Sequence, residues 1–424
     1  MSENPDIRLT PPLLRPVEVL PYKEDGKEYA IIRDPQGFSK SALVVSLHLL
    51  PILARFDGKN TVQEISNQLK TPEGKPFPEE KLVEIIELLD RSHYLDNDNF
   101  KQHREEVIYN YRSQTTRSMT LVKNNAPADQ SQFDELLGTF LETAPSLYFH
   151  TKLQDHEQVI GLMLPHIDYQ RGGKSYGRAY RQWIRRLSFS KNESLLIGII
   201  GVAHAGIKTP LVATAKDFET PYGILRYDRP ALKILENRLG DWIFDDEWVH
   251  QSEHSIEIQT IWLKYLLNDY ELSFLPLLAG NFETLCLTGK SPQGVEQLEQ
   301  VLEALKTIEE LHQGPVIWIS SVDLAHIGPR FGDSDPVDDT QCKKVRELDE
   351  ISLQAIEKCD AEDWWFNVMR DGNSRKICGL SANYLMLRLM EGSEGKIIDY
   401  SQARSNGQDQ MVSFASALFV RQDR

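Results

Sequence analysis

The stretch LLIGIIGVAHAG, residues 195–206, decides the fold class, because a long apolar run ends in a loop that carries a histidine. An uninterrupted apolar run of this length is typical of a strand that is fully buried in a sheet. Two further stretches repeat the arrangement: VIGLMLPHIDY contains His166, and PVIWISSVDLAHIG contains His326. Three buried strands that each lead into a histidine-bearing loop predict one shared site.

Apolar strands alternate with amphipathic helices from about residue 145 to the end of the sequence. The strands are predicted near residues 158–164, 194–201, 272–277, 315–320, 395–400 and 412–420. The helices are predicted near residues 174–187, 229–239, 252–268, 292–312, 342–358 and 376–391. Such alternation is typical of α/β domains, in which helices flank a central, mostly buried sheet. The sequence therefore predicts an α/β domain over residues 145–424.

The first hundred residues follow a different pattern. The stretch LRPVEVLPYKEDGKEYAIIRDPQG predicts two short strands around a turn, and three helical stretches follow it: KSALVVSLHLLPILARF, TVQEISNQL and PEEKLVEIIELLDRSHYL. Thr61 and Glu64 have the spacing of a capping box for the second helix. These elements predict a small winged-helix-like α+β domain over residues 1–100. The polar segment 101–144 predicts a bridging helix followed by a linker.

The composition excludes some classes of function. The 424 residues carry a formal net charge of −16, which argues against a general nucleic-acid binder, since such proteins need a basic face. No apolar run approaches the roughly 20 residues of a membrane-spanning helix. The N-terminus MSENPDIRLTPP lacks the features of a secretory signal. We therefore expect a cytoplasmic protein that binds neither nucleic acid nor a membrane.

The cysteines form no zinc-binding pattern. Neither a CxxC pair nor a zinc-ribbon spacing occurs among Cys286, Cys342, Cys359 and Cys378. Scattered, reduced thiols are typical of a cytosolic chain. Cys378, in the stretch KICG, is the cysteine that we single out for inspection.

Three histidines are candidates for one metal site. His166, His204 and His326 each lie at or just past the end of a predicted strand, and in open α/β sheets ligands bind at the carboxyl ends of the strands. Neutral imidazole is the commonest protein ligand of transition metals, and three such ligands on one face leave open positions for substrate or water. A single histidine after a strand is usually structural, but three at equivalent places predict a shared polar site.

Acidic residues accompany these histidines. In SEHSIEIQTIWLKYLL, Ser252 is a candidate N-cap, and His254 and Glu257 share one face of the helix that follows. That pair could act as a ligand, a general base or an orienting group. Asp168 and Asp323 could bind a metal or accept the second N–H of an imidazole, and a plain turn role is the alternative for both.

The α/β part resembles the Memo family, and more closely its branch called AmmeMemoRadiSam system protein B. The matching stretches are LPHIDYQRGGKSYGRAY, GIIGVAHAG, TPYGIL, SEHSIEIQTIWLKYL, SSVDLAHIG and RKICG with YLMLRLM, in the family's order over residues 160–420. The resemblance implies the fold of LigB-type class III extradiol dioxygenases, in which non-haem Fe(II) lies at the edge of the sheet. The N-terminal stretches LRP, IRDPQG, FDGKNTVQEI and LDRSHYLDNDNF resemble PqqD-like domains, which bind peptides.

The resemblance also implies roles for individual residues. His166 and His204 match the first two metal ligands of the family, and His254 matches the site histidine of EHSIE, with Glu257 beside it. Some family members have a cysteine before the histidine of the SSD loop, but this sequence has Ala325 there. His326 or Asp323 would then complete a harder site, which suits Fe(II) or Zn(II) better than copper(I).

We therefore expect a non-haem metal-dependent redox enzyme of the dioxygenase type, with Fe(II) as the expected metal and Zn(II) or copper as alternatives. His254 would act as acid or base, assisted by Glu257. A non-catalytic protein that binds a ligand or peptide on the same scaffold is one alternative, and a metal-dependent hydrolase is another. The family resemblance implies a radical-SAM enzyme and an AMMECR-type protein as partners, and a peptide or small molecule as substrate.

Overall fold

The boundary between two folding units of the chain lies between Ser113 and Gln114. The computed structural model of the protein describes residues 7–24, 26–39, 41–71, 74–120, 129–142, 153–154 and 157–422. Parts of the predicted linker, residues 121–128 and 143–144, lie outside the described residues, as does the start of the predicted α/β domain at 145–152.

The first unit is a three-stranded antiparallel sheet with four helices. Its strands are β1 (Glu18–Glu24), β2 (Lys27–Arg33) and β3 (Leu43–Ser46), and its helices are α1 (Leu50–Leu53), α2 (Val62–Gln68), α3 (Glu79–Arg91) and α4 (Asp98–Arg112). The capping box of α2 is confirmed: Thr61 Oγ1 accepts from the Glu64 N–H, and the Glu64 carboxylate accepts from the Thr61 N–H. The winged-helix-like and PqqD-like assignments remain predictions.

One predicted helix of this unit is confirmed only at its end, where α1 lies, and is wrong over β3. Residues 40–56 were expected to form a single helix, but β3 occupies 43–46 and pairs with Ala30 and Ile31 of β2. The two adjacent valines of Leu-Val-Val-Ser are β-branched and favour a strand. The free edge of β2 offers this strand a partner for pairing.

The second unit contains a mixed sheet of eleven strands within the described residues. Its strands are β4 (Thr116–Arg117), β5 (Glu157–Leu164), β6 (Leu195–Val202), β7 (Leu211–Ala213), β8 (Asp217–Thr220), β9 (Gly223–Tyr227), β10 (Leu272–Ala279), β11 (Val316–Ser321), β12 (His326–Ile327), β13 (Glu394–Arg404) and β14 (Met411–Gln422). Their order is β12-β14-β5-β11-β6-β10-β9-β8-β4, with β13 also paired to β14 and β7 also paired to β10. The six predicted strands are confirmed as β5, β6, β10, β11, β13 and β14.

Helices surround this sheet. They are α5 (Gln130–Glu142), α6 (Tyr169–Ile184), α7 (Arg229–Leu239), α8 (His254–Leu267), α9 (Glu283–Thr288), α10 (Glu296–Leu311), α11 (Asp339–Glu357), α12 (Ala361–Met369) and α13 (Leu380–Leu389). The six predicted helices correspond to α6, α7, α8, α10, α11 and α13. The stretch DWWF lies in α12, where Trp364 and Trp365 are fully buried.

The four central strands β5, β11, β6 and β10 are parallel neighbours, so their carboxyl ends lie along one edge. Every residue of β6 is buried, as expected for a parallel strand that is covered on both faces. Leu196 and Ile200 pack into the core that contains α10 and α13. Gly201 meets Ser255 of α8, and successive residues of a strand point to opposite faces, so α8 covers the other face.

No helix in the described part of the chain is long and apolar enough to cross a membrane.

Candidate metal centre

Three histidines meet at the carboxyl edge of the parallel strands. His166 follows the end of β5, His204 follows the end of β6, and His254 is the first residue of α8. The helix can approach the strand because position 201 is glycine: a Cβ there would lie 2.4 Å from the Ser255 Oγ. The Ser255 Oγ accepts a hydrogen bond from the Val202 N–H at 3.1 Å, which fixes the start of α8 against the end of β6.

The three imidazoles form a compact group of donors. Each offers one ligand atom, and these atoms all lie within 4.8 Å of one another, in the only such group among the residues that the structure describes. The centroid of the His166 ring lies 4.9 Å from that of the His204 ring and 5.1 Å from that of the His254 ring. Three imidazole donors at this spacing could hold a metal ion.

The second nitrogen of each imidazole is held by a fixed acceptor. His166 Nδ1 donates to the Ser321 carbonyl at 3.0 Å, and His204 Nδ1 donates to Glu253 Oε2 at 3.0 Å. His254 Nδ1 lies 3.1 Å from Glu253 Oε1. A carbonyl or an ionised carboxylate can only accept, so Nδ1 of each ring carries a proton, and Nε2 is the nitrogen that would bind a metal when it is unprotonated. This orientation of ligand histidines is common in metalloproteins, and the donor set fits a divalent transition metal.

Glu253 orients two of the rings and was not predicted. It is the N-cap of α8, where Ser252 was expected, and its carboxylate accepts from the main-chain N–H groups of His254 and Ser255. It also accepts from the His204 N–H at 3.0 Å. Burial favours the protonated acid, but the imidazoles of His204 and His254 outweigh it and hold the pKa of Glu253 well below its usual range.

Two of the imidazoles differ in charge because of their surroundings. Burial lowers the pKa of His166 well below its usual value, and the neighbouring His204 and His254 lower it further. Burial also lowers the pKa of His204, but the Glu253 carboxylate and the hydrogen bond with Cys378 outweigh it, so that pKa lies well above its usual value. His166 is thus a neutral donor inside the protein, while His204 forms an ion pair with Glu253.

Comparison with known proteins identifies the family. The sequence model of the Memo-like proteins matches residues 117–418. The chain belongs to the Memo-like protein family. It is 27% identical to a MEMO1 family protein of Aquifex aeolicus over 417 residues, which cover 96% of this chain and 99% of the relative. A MEMO1 family protein of Thermus thermophilus is 25% identical over 80% of this chain and 92% of its own length. The predicted family resemblance is therefore confirmed.

Glu257 binds Arg117 and Thr120 in this Memo-like protein. Its fully buried carboxylate accepts from Arg117 Nη2 at 2.7 Å and from the N–H of Thr120 at 3.0 Å. The expectation that Glu257 orients or assists His254 is corrected, because the Glu253 carboxylate contacts the His254 ring, whereas the Glu257 carboxylate forms an ion pair with Arg117.

His326 is not part of the three-imidazole group. Its short strand, β12, pairs with β14, and its N–H donates to the Arg375 carbonyl at 2.7 Å. Its ring lies edge-on to Phe331 with centroids 5.0 Å apart, and Nδ1 lies 3.1 Å from the Leu324 carbonyl. Burial, with a smaller contribution from His204, lowers the pKa of His326 to about 4. The structure therefore brings His254, rather than His326, together with the other two histidines.

The two aspartates act on the main chain. Asp323 Oδ1 accepts from the N–H groups of His166 and Ile167 at 3.0 and 3.2 Å, and its Oδ2 lies 3.6 Å from His166 Nε2. Burial raises the pKa of Asp323 to about 6. Asp168 caps α6 by accepting from the Arg171 N–H, and it also pairs with the Arg171 guanidinium. Neither carboxylate accepts from the Nδ1 of a site histidine.

A thiol stands at the same site. Cys378 Sγ lies 3.4 Å from His166 Nε2 and also shares a hydrogen bond with His204. Burial raises the pKa of this thiol, although the hydrogen bond with His204 opposes the change. Gly379 permits the approach, since a Cβ there would lie 2.5 Å from the Val322 Cβ. Ala325 supplies no sulfur to its loop, as expected, but a thiol from a second loop lies beside the three imidazoles.

The sequence contained signals for Glu253, which was not predicted, and for Cys378, which was singled out without a role. Glu253 directly precedes the helix, where a side chain that accepts hydrogen bonds is favoured. Cys378 lies in KICG, within a stretch that carried the family resemblance, but nothing in the sequence showed which loop it would face.

Proposed function

We propose that His166, His204 and His254 hold one divalent transition-metal ion and that the protein is a metal-dependent redox enzyme. The observation that carries the proposal is the shared orientation of the three rings, in each of which an acceptor of the protein holds Nδ1 and leaves Nε2 as the nitrogen that would bind the metal. Cys378 Sγ is a further candidate donor, because it lies within 3.4 Å of His166 Nε2. A mixed set of imidazoles and one thiol suits Fe(II), Zn(II) and copper, and we propose Fe(II).

The three rings differ in exposure, which supports a substrate that approaches from the side of His204 and His254. The side chain of His166 is 2% exposed, whereas those of His204 and His254 are 37% and 32% exposed. A non-haem Fe(II) ion in such a site would supply open positions for O₂ or an electron-rich substrate. The protein's own residues would orient the donors through Glu253 and exclude water from the His166 side.

The resemblance to AmmeMemoRadiSam system protein B supports a proposal about partners. We propose that the enzyme acts beside a radical-SAM enzyme and an AMMECR-type protein, on a peptide or small molecule. Co-purification of these two proteins with the tagged full-length chain would support it, and their absence at cellular expression levels would contradict it.

Metal analysis tests the proposed function directly. The full-length protein is purified anaerobically without chelators or a histidine tag, and its metal content is compared with that of a His166→Ala/His204→Ala variant. The matched control is His312→Ala, since His312 contacts the Ser194 carbonyl at the amino end of β6. We expect about one equivalent of iron in the wild type and the control, and none in the double variant.

Two single variants test whether His254 or Cys378 is the third donor. Loss of iron in His254→Ala but not in Cys378→Ser would support the three-imidazole set, and the reverse would assign the thiol. No metal in the wild type, even after reconstitution with Fe(II), Zn(II) and copper, would contradict the proposal and favour a binding protein on this scaffold. Activity with Zn(II) and without O₂ would favour the hydrolase instead.

A further inference from the structure

Arg117 is a buried arginine at the start of the second unit. It ends β4, which pairs with β8 at the edge of the large sheet through Arg117 and Phe218. Its side chain is 1% exposed, and its guanidinium lies over the Phe218 ring, 4.8 Å from the centroid. A fully buried guanidinium needs both a counter-charge and acceptors for its N–H groups.

The guanidinium binds one continuous segment at three places. Arg117 Nε donates to the His250 carbonyl at 2.5 Å. Its Nη2 donates to the Glu253 carbonyl at 2.7 Å and to Glu257 Oε2 at 2.7 Å. These acceptors lie before, at and after the N-cap of α8, so one side chain fixes the turn that leads into the helix.

The Glu257 carboxylate makes further hydrogen bonds besides its ion pair with Arg117. The Glu257 carboxylate also accepts from the N–H and the Oγ1 of Thr120, so the segment that carries Arg117 contacts Glu257 at two residues. The two bonds to carbonyl groups are therefore additional to charge neutralisation. They satisfy further N–H groups of the buried guanidinium, and both acceptors lie on the turn that leads into α8.

We propose that Arg117 is a positioning residue for the His204 and His254 rings, an inference that rests on the proposed function of those rings as metal donors. Arg117 holds the main-chain carbonyl of Glu253, and the carboxylate of the same residue holds both imidazoles. A shift of the turn moves that carboxylate, and with it the direction of both Nε2 atoms. The segment just after the first unit thereby becomes part of the metal site, although it contributes no donor.

Substitution of Arg117 by lysine separates two roles: neutralising the charge of Glu257 and positioning the turn before α8. The lysine ammonium can neutralise Glu257, but it lacks the planar fork that reaches two carbonyl groups and a carboxylate together. Arg117→Lys should therefore keep the charge balance and lose the positioning. Arg388→Lys is the matched control, because Arg388 makes a two-point contact with Glu299 at 2.8 and 3.1 Å on helices that carry none of the three histidines.

The test is a Co(II) titration of the full-length protein, followed by visible absorption, with thermal unfolding measured on the same samples. We expect Arg117→Lys to weaken Co(II) binding about tenfold or more and to shift the absorption bands. Arg388→Lys should lower the unfolding midpoint without changing the spectrum. Wild-type affinity and spectrum in Arg117→Lys would overturn the inference while the proposed function stands.

A second readout works without metal. Hydrogen exchange is measured on the metal-free proteins for the His204, His254 and Ser255 amides, which donate to the Glu253 carboxylate. We expect faster exchange at these amides in Arg117→Lys than in Arg388→Lys. If the wild type binds no Co(II), the proposed function fails, and exchange alone decides the positioning role: unchanged protection of the three amides would overturn it.

Discussion

At the scale of the residue, the Glu253 carboxylate links the donors to the backbone. It accepts from the ring N–H groups of His204 and His254 and from the main-chain N–H groups of His204, His254 and Ser255. A carboxylate with so many donors stays ionised despite its burial. Its position therefore sets the tautomer and the direction of two imidazoles at once.

Glu253→Gln should weaken metal binding while preserving the fold. The amide can accept from fewer donors and cannot balance the charge on His204, so both rings lose their orientation. We expect metal affinity to fall about 10- to 100-fold, measured by competition with a chromophoric chelator. Asp168→Asn is the control, because asparagine also caps helices and Asp168 contacts no site histidine ring. Equal affinity in Glu253→Gln and wild type would contradict this role.

The sequence offered four candidate histidines for the site, and three of them meet in the structure. His166, His204 and His254 were identified from strand ends and from the EHSIE stretch, and they meet in the structure. His326 occupies the same kind of strand-end position, yet it does not join them. Position relative to a strand indicates the edge of the sheet on which a side chain lies, but not the direction in which a loop turns it.

At the scale of the element, the meeting of α8 with β6 creates the site. Gly201 removes the side chain that would separate them, and Ser255 bridges the gap by a hydrogen bond to the Val202 N–H. His254 and His204 thereby reach a ring-centroid distance of 4.9 Å. The geometry of the metal site thus depends on close packing between a helix and a strand.

Gly201→Ala should disturb the packing of α8 on β6. A Cβ would lie 2.4 Å from the Ser255 Oγ and 3.0 Å from Ile256 Cγ1, so the Ser255 side chain must leave its bond to the Val202 N–H or α8 must shift. We expect a loss of about 1–3 kcal/mol in the free energy of unfolding, measured with denaturant, together with weaker metal binding. Gly138→Ala is the matched control: a Cβ there would lie 3.5 Å from the Tyr265 hydroxyl, and alanine in a helix should stabilise by up to ~1 kcal/mol. Unchanged stability in Gly201→Ala would refute the packing argument.

At the scale of the whole molecule, the chain consists of two units that each have a core. The first core is formed by residues between 30 and 95, and the largest core of the second by residues between 160 and 419. The alignment with the Aquifex aeolicus relative covers 96% of the chain, so it includes most of the first unit as well as the family domain.

The second unit should bind metal on its own. We expect fragment 114–424 to bind the same metal with the affinity of the full chain, because it contains every donor together with Arg117. Fragment 129–424 should bind at least about tenfold more weakly, since it lacks β4 and the guanidinium that holds the Glu253 carbonyl. Metal content and circular dichroism of both fragments check this. A folded 114–424 fragment without metal would show that the first unit is needed.

The sequence by itself determined the class of the fold and the edge of the sheet that carries the site. Continuous apolar runs identified the buried parallel strands, and the alternation with helices identified the α/β architecture, because both patterns follow from local periodicity and burial. The same patterns placed His166 and His204 at the ends of strands on one edge of the sheet.

Only the tertiary structure decided which groups complete the site. The Glu253 carboxylate lies 49 residues from His204 along the chain, Cys378 lies 212 residues from His166, and Arg117 lies 136 residues from Glu253. Periodicity carries no information over such separations. These contacts arise because the packing of α8 on β6, and of the Gly379 turn on the end of β11, brings side chains from distant segments into one buried volume.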